Sequence, residues 1–245
     1  MLLRRIIAHL RRQEWAAIAI DFLIVVVGVF IGIQVANWNE SRLEAQRERA
    51  YLVALQGDFR AVVAELESDA ARYAAFAESM TFLLEQSSMA QPDAPLDALN
   101  SAAGHLILME GTTVASGTYS NLTGSGDLAI IRSQELKDAM SFFFAKYAVV
   151  DLVADTHEMQ LVGIFQPYII ENLDYVGMLS PRDGLVPSAA FDPGRIRTAL
   201  GTPEFRNVVA VKWDIVTDLR DTILVALEQA RAVEALLTEE LDARS

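Results

Sequence analysis

Apolar positions change their spacing once along this chain. From Ala16 to Ile33 they are continuous, broken only by Asp21, and Gln34 follows at the far end; from Leu52 onward they recur in threes and fours. Trp15 and Trp38 bracket the continuous stretch. The helix between them would rise about 34 Å, close to the thickness of a bilayer core. Indoles at both ends suit the two membrane–water interfaces. The pattern predicts a transmembrane helix over 15–38, with Trp15 and Trp38 as its interface anchors.

The periodic part begins with Leu52, Leu55, Phe59, Val62, Leu66, Tyr73, Phe76, Met80 and Leu83, in which Asp69 is the one polar position. This heptad-like seam predicts a helix over about 42–86, continuous with the membrane segment, that ends at the breaker Ser87–Pro95. A shorter helix is expected from Leu96 to about Met109, with Leu96, Leu99, Ala103 and Leu106 facing inward. The irregular tract 111–127 is rich in Gly, Ser and Thr, and Tyr119 and Leu122 look like anchors of a short helix within it.

Ser133 is placed to cap a long helix whose stripe is Leu136, Met140, Phe143, Tyr147, Val150, Ala154, His157, Leu161, Ile164 and Tyr168, with a kink expected near Pro167. A Gly/Pro-rich connection over 174–190 follows. Asp192-Pro193 and Thr202-Pro203 each read as a cap with proline at the first helical position. The last helix, 203–241, is carried by Phe205, Val208, Ile215, Leu219, Ile223, Ala226, Ala230, Val233 and Leu237, with Lys212 as the one charged member of the stripe. No run alternates as a strand would. The expected architecture is all-α: an N-terminal transmembrane helix and an elongated bundle of about four helices.

Charge gives the expected orientation. Arg4, Arg5, Arg11 and Arg12 precede the span against Glu14 alone. With Glu14 and Asp21 set aside, the other 31 of the 33 Asp+Glu lie beyond residue 38, against the remaining 16 of the 20 Lys+Arg, a net −15. Basic residues beside a span stay cytoplasmic. Residues 1–14 are therefore expected as a cytoplasmic tail, 15–38 as the span and 39–245 as a periplasmic bundle domain of the bacterial inner membrane. A cleaved signal peptide is the rival reading. The apolar region reaches back through Asp21, and the nearest cleavage candidate, Gln34-Val35-Ala36, has Gln at its outer position. The absence of cysteine is compatible with an oxidising compartment and does not require one.

Within the span Asp21, Val25, Gly28 and Gly32 fall on one helical stripe, and Gly28 and Gly32 form a small-xxx-small pair. A carboxylate in hydrocarbon costs roughly 2.5–3.5 kcal/mol, so it ordinarily faces a partner or water. This stripe is the expected packing face for another membrane helix.

The search for chemistry returns little. The histidines are His9, His105 and His157, and no Glu is followed by His three residues later, as a di-iron bundle would need. His157 falls on an apolar stripe and is read as a partnered core residue. There is no Cys, no Gly-x-Ser-x-Gly, no Ser-x-x-Lys and no phosphate-loop order of Gly and Lys. The acidic domain repels nucleic acid. No catalytic residue, cofactor or metal is expected. Tyr119, Asn121 and Asp127 in the irregular tract are the candidate contacts for a partner or ligand.

Phe22–Glu40 resembles the anchor of an uncharacterised bacterial family of single-span proteins, in which an acidic residue precedes an apolar run that closes with Gln and Asn-Trp-Asn. Thr118–Ser133 is similar to that family's second segment, Tyr…Leu…Ser-Gly-(Asn/Asp)-Leu. Here Asp21 stands where many relatives have Glu. The resemblance implies an anchored helical domain and supplies no catalytic residues. The functional expectation is a non-enzymatic accessory or scaffold protein that self-associates or joins a larger membrane complex. The alternative is a ligand-sensing periplasmic bundle that signals through a separate membrane partner.

Overall fold

The computed structural model describes residues 2–109, 111, 114, 116–178, 192 and 194–244, with side chains outside that description at 2–18, 176 and 177. All regular structure among the described residues is helical. The chain divides into two compact units, residues 1–51 and 52–245.

The first unit lies within α1 (Leu2–Ser88), a single unbroken helix that continues into the second. Every residue from Ala19 to Arg47 is exposed. The most apolar 18 residues of this segment reach a mean hydropathy of 2.5 with none of them buried. Among the described residues this is one helix long and apolar enough to cross a membrane. The division between units falls inside α1, past Trp38, because core burial of the seam begins only at Leu52.

In the second unit the seam of α1 is buried as its spacing predicts: Leu52, Leu55, Phe59, Leu66, Tyr73, Met80 and Leu83 are fully enclosed. Its long partners are α4 (Gln134–Gln160) and α8 (Pro203–Asp242). Residues 56, 60, 67 and 81 of α1 meet 238, 234, 231 and 213 of α8, a descending register that makes the two helices antiparallel. Helix α4 packs along α8. It runs parallel to α1, since Phe143 meets Phe59 edge-on at 5.3 Å while Phe165, further along, shares a cluster with Met80 and Leu83. Ser133 and Thr202 accept the N–H groups of Leu136 and Phe205, so each long helix starts behind a side-chain cap.

Helix α3 (Gly117–Ser125) lies beside the start of the α1 seam, near Asp58 and Phe144, while shorter helices close the other end of the bundle: α2 (Leu96–Gly104), α5 (Gln166–Asn172), α6 (Tyr175–Met178) and α7 (Arg195–Leu200). Leu99, Ala103, Leu106, Ile169, Ile196, Leu200 and Phe205 form their shared core. Gln86 holds the α1–α2 turn by accepting the N–H groups of Asp93 and Ala94, and Arg197 donates to the carbonyls of Pro92 and Ala94.

Three expectations are corrected. Helix α2 ends at Gly104 rather than near Met109, because the N–H groups of His105, Leu106 and Ile107 bond three residues back in tight turns; a Cβ at Gly104 would stand 3.2 Å from the Met178 carbonyl, so glycine admits that close approach. The helix after Asp192 starts at Arg195 with Gly194 as its N-cap, because Asp192 accepts the Gly194 N–H in a tight turn; Pro193 and most of the 174–190 connection lie outside the described residues. The stripe of α4 also changes register. Between α4 and α5 the residues Leu161–Phe165 form a π turn, so the fully buried positions after His157 are Phe165 and Ile169 rather than Ile164 and Tyr168. Pro167 stands in the first turn of α5, directly after the π turn, where the helical bonding has already changed register.

Candidate functional site

The chemically unusual group of the bundle is Lys212, on the apolar stripe of α8 and fully enclosed. Its Nζ lies 2.6 Å from His157 Nε2 on α4, donates to the Leu108 carbonyl at 3.0 Å, and sits 5.2 Å from the centroid of the Phe165 ring. The π turn is what aims Phe165 at this point, two turns beyond His157. Sequence places each element: Lys212 and His157 are single polar positions in otherwise apolar stripes, which forces both inward.

These partners suit a cation poorly compensated by charge. An ammonium donating to Nε2 requires the neutral imidazole that carries its proton on Nδ1. That Nδ1 is buried and has no hydrogen-bond partner among the described residues. Burial pushes Lys212 down from 10.5 to about 7. Burial, and then the Lys212 charge, push His157 down from 6.5 to about 4. His105 follows the same logic: burial and the Lys212 charge lower it, while its Nδ1 lies 2.7 Å from Ser79 Oγ and its ring packs on Phe76. The pair thus holds one proton through the mildly acidic range, with the aromatic face and a carbonyl dipole replacing a counter-ion. Sequence reasoning identified both residues separately and missed their pairing, for which the two isolated polar positions were the available clue.

The irregular tract is tied down by polar contacts. Asp58 accepts from Ser116 Oγ and from the Thr118 N–H, both at 3.0 Å, while Ser116 caps α3 through the Tyr119 N–H. The Val114 N–H donates to Tyr147 Oη, and burial pushes the Tyr147 phenol up to about 12. Gly126, at φ +79°, turns the chain out of α3. The three candidate contact residues do not converge. Tyr119 stacks on Phe144 at 4.3 Å, Asn121 is exposed, and Asp127 accepts from Ser125 Oγ.

In the first unit Asp21, Val25, Gly28 and Gly32 are all exposed, and a Cβ on either glycine would meet nothing within 4 Å. Trp38 is exposed, and the Trp15 side chain lies outside the described residues. Among the described residues no group of three His, Cys, Asp or Glu could hold a metal ion. No protein-family model, curated protein or solved structure matches the chain.

Proposed function

We propose that this chain is a non-enzymatic, membrane-anchored accessory or scaffold protein of a bacterial inner membrane, allied to the single-span family its anchor resembles. The tail 1–14 would be cytoplasmic and the domain 39–245 periplasmic. The observation that carries the reading is the fully exposed apolar surface of α1 from Ala19 to Val35, directly after the Arg4–Arg12 cluster. A solvated helix does not keep so long an apolar surface bare, whereas lipid accepts it. The Asp21–Gly28–Gly32 stripe is the proposed contact for a second membrane helix.

Reporter fusions at Ser245 should be active only as periplasmic reporters, and a cytoplasmic-only signal would overturn the placement. Purification in mild detergent should bring down either additional copies of the chain or a defined membrane partner. A lone monomer would overturn the scaffold reading.

The Lys212–His157 pair favours one alternative, a sensing bundle that responds to conditions in its compartment through a separate membrane partner. A screen of small molecules that raises the melting temperature of the full chain separates this reading from the first.

A further inference from the structure

Helix α4 carries a second apolar face, turned away from the core. Leu136, Met140, Phe143, Tyr147, Val150 and His157 are its buried side. On the opposite side Phe142, Val149, Leu152 and Met159 are 49%, 44%, 66% and 70% exposed, and Ala145 and Thr156 between them are exposed too. These six positions step by three and four without a break. A single exposed Leu or Val is ordinary on any protein surface. A run in alternating steps of three and four is the seam of a helix pair; Lys146 of the same helix lies over the Phe142 ring at 5.1 Å, and the run otherwise stays exposed among the described residues.

From this face we infer that two copies of the chain pair through α4, side by side and in parallel, along the seam Phe142, Ala145, Val149, Leu152, Thr156 and Met159. This rests on the proposed reading of the protein as a membrane-anchored scaffold, and adds the surface and the partner. The side-chain types select the arrangement. Phe142, Val149 and Thr156 take one seam position and Ala145, Leu152 and Met159 the other; Val149 and Thr156 at the first with Leu152 at the second match the β-branched/Leu pattern that favours two parallel strands. The flanks are compatible as well: in a parallel pair Lys146 lies beside Ser141 of the other copy and Asp155 beside Gln160, so no like charges meet.

Area supports a second copy in the membrane rather than a free solution dimer. The six side chains expose roughly 500 Å² per copy, about 1,000 Å² for the pair, the lower edge of specific interfaces. Anchoring raises the effective concentration of the copies, so a seam of this size suffices. A lipid surface would accept the same side chains but favours a broader apolar stripe than this strict two-position seam.

The chain has no cysteine, so single-cysteine variants of the full-length protein report pairing directly in native membranes. Under copper–phenanthroline oxidation, Val149→Cys and Leu152→Cys should each give a disulfide-linked dimer at several times the yield of Asp151→Cys, which lies off the seam. Adding Met159→Glu to Leu152→Cys should abolish the dimer with the circular dichroism spectrum unchanged, because Met159 is a surface position. Equal yields at 149, 151 and 152, or a cross-link that survives Met159→Glu, would overturn the inference. Alkaline carbonate extraction of the same membranes separates the two levels. Release of the protein would sink the anchored reading itself, whereas retention without seam cross-links would sink the α4 pairing alone.

Discussion

Lys212 Nζ and His157 Nε2 lie 2.6 Å apart with both residues fully enclosed, so α8 and α4 meet in the core through a shared proton as well as through carbon. The arrangement has a calculable sign. Both groups have native pKa values below their ordinary ones, so between those values the unfolded chain binds more protons than the native one. Stability must then rise with pH.

For Lys212 the rise runs from about 7 toward 10.5, and for His157 stability is lost as pH falls from 6.5 toward about 4. Thermal melts of the full chain in detergent should show both limbs. Lys212→Met, similar in volume and uncharged, should flatten the upper limb and remove a penalty on the order of a few kcal/mol. An upper limb of unchanged slope in Lys212→Met would refute the assignment.

Asp58→Ala should loosen the start of α3 without unfolding the bundle. It removes the acceptor of the Ser116 hydroxyl and of the Thr118 N–H, at a cost of about 1–2 kcal/mol. Hydrogen exchange should accelerate at the Thr118 amide while the amides of α8 keep their protection. Equal acceleration in both would show that the contact is not local.

Arg197→Ala should release the turn between α1 and α2, since one guanidinium satisfies two carbonyls there, at Pro92 and Ala94. The expected cost is about 1–2 kcal/mol. Limited proteolysis should then open new cleavage between residues 88 and 96; an unchanged pattern would place the closure of this turn on Gln86 instead.

Gly28→Leu combined with Gly32→Leu should shift the detergent-solubilised complex to a smaller species, because the bulk of Leu blocks close helix approach in lipid. Asp21→Asn should do less harm, since it keeps hydrogen-bonding capacity. Unchanged complex size in the double variant would reduce the stripe to a lipid-facing coincidence.

Helical class, the membrane-length apolar segment and the inward side of α1 were legible from the pattern of residues, although on α8 the fully buried positions are Val209 and Val216 rather than the expected Val208 and Ile215. The reason is that these are periodic properties: a seam from Leu52 to Leu83 buries one face of a helix whatever it packs against, and Ser133 and Thr202 cap locally. What depends on two distant segments meeting came from the packed fold. It set the π turn that moves burial from Ile164 and Tyr168 to Phe165 and Ile169, a shift of one residue invisible to any fixed spacing. The same holds for the close approach of the Met178 carbonyl to Gly104 and for Tyr119 stacking on Phe144. Lys212 and His157 were each legible as a lone polar residue on an apolar stripe. Their contact was not, because residues 55 positions apart become neighbours only when α4 and α8 align in one register.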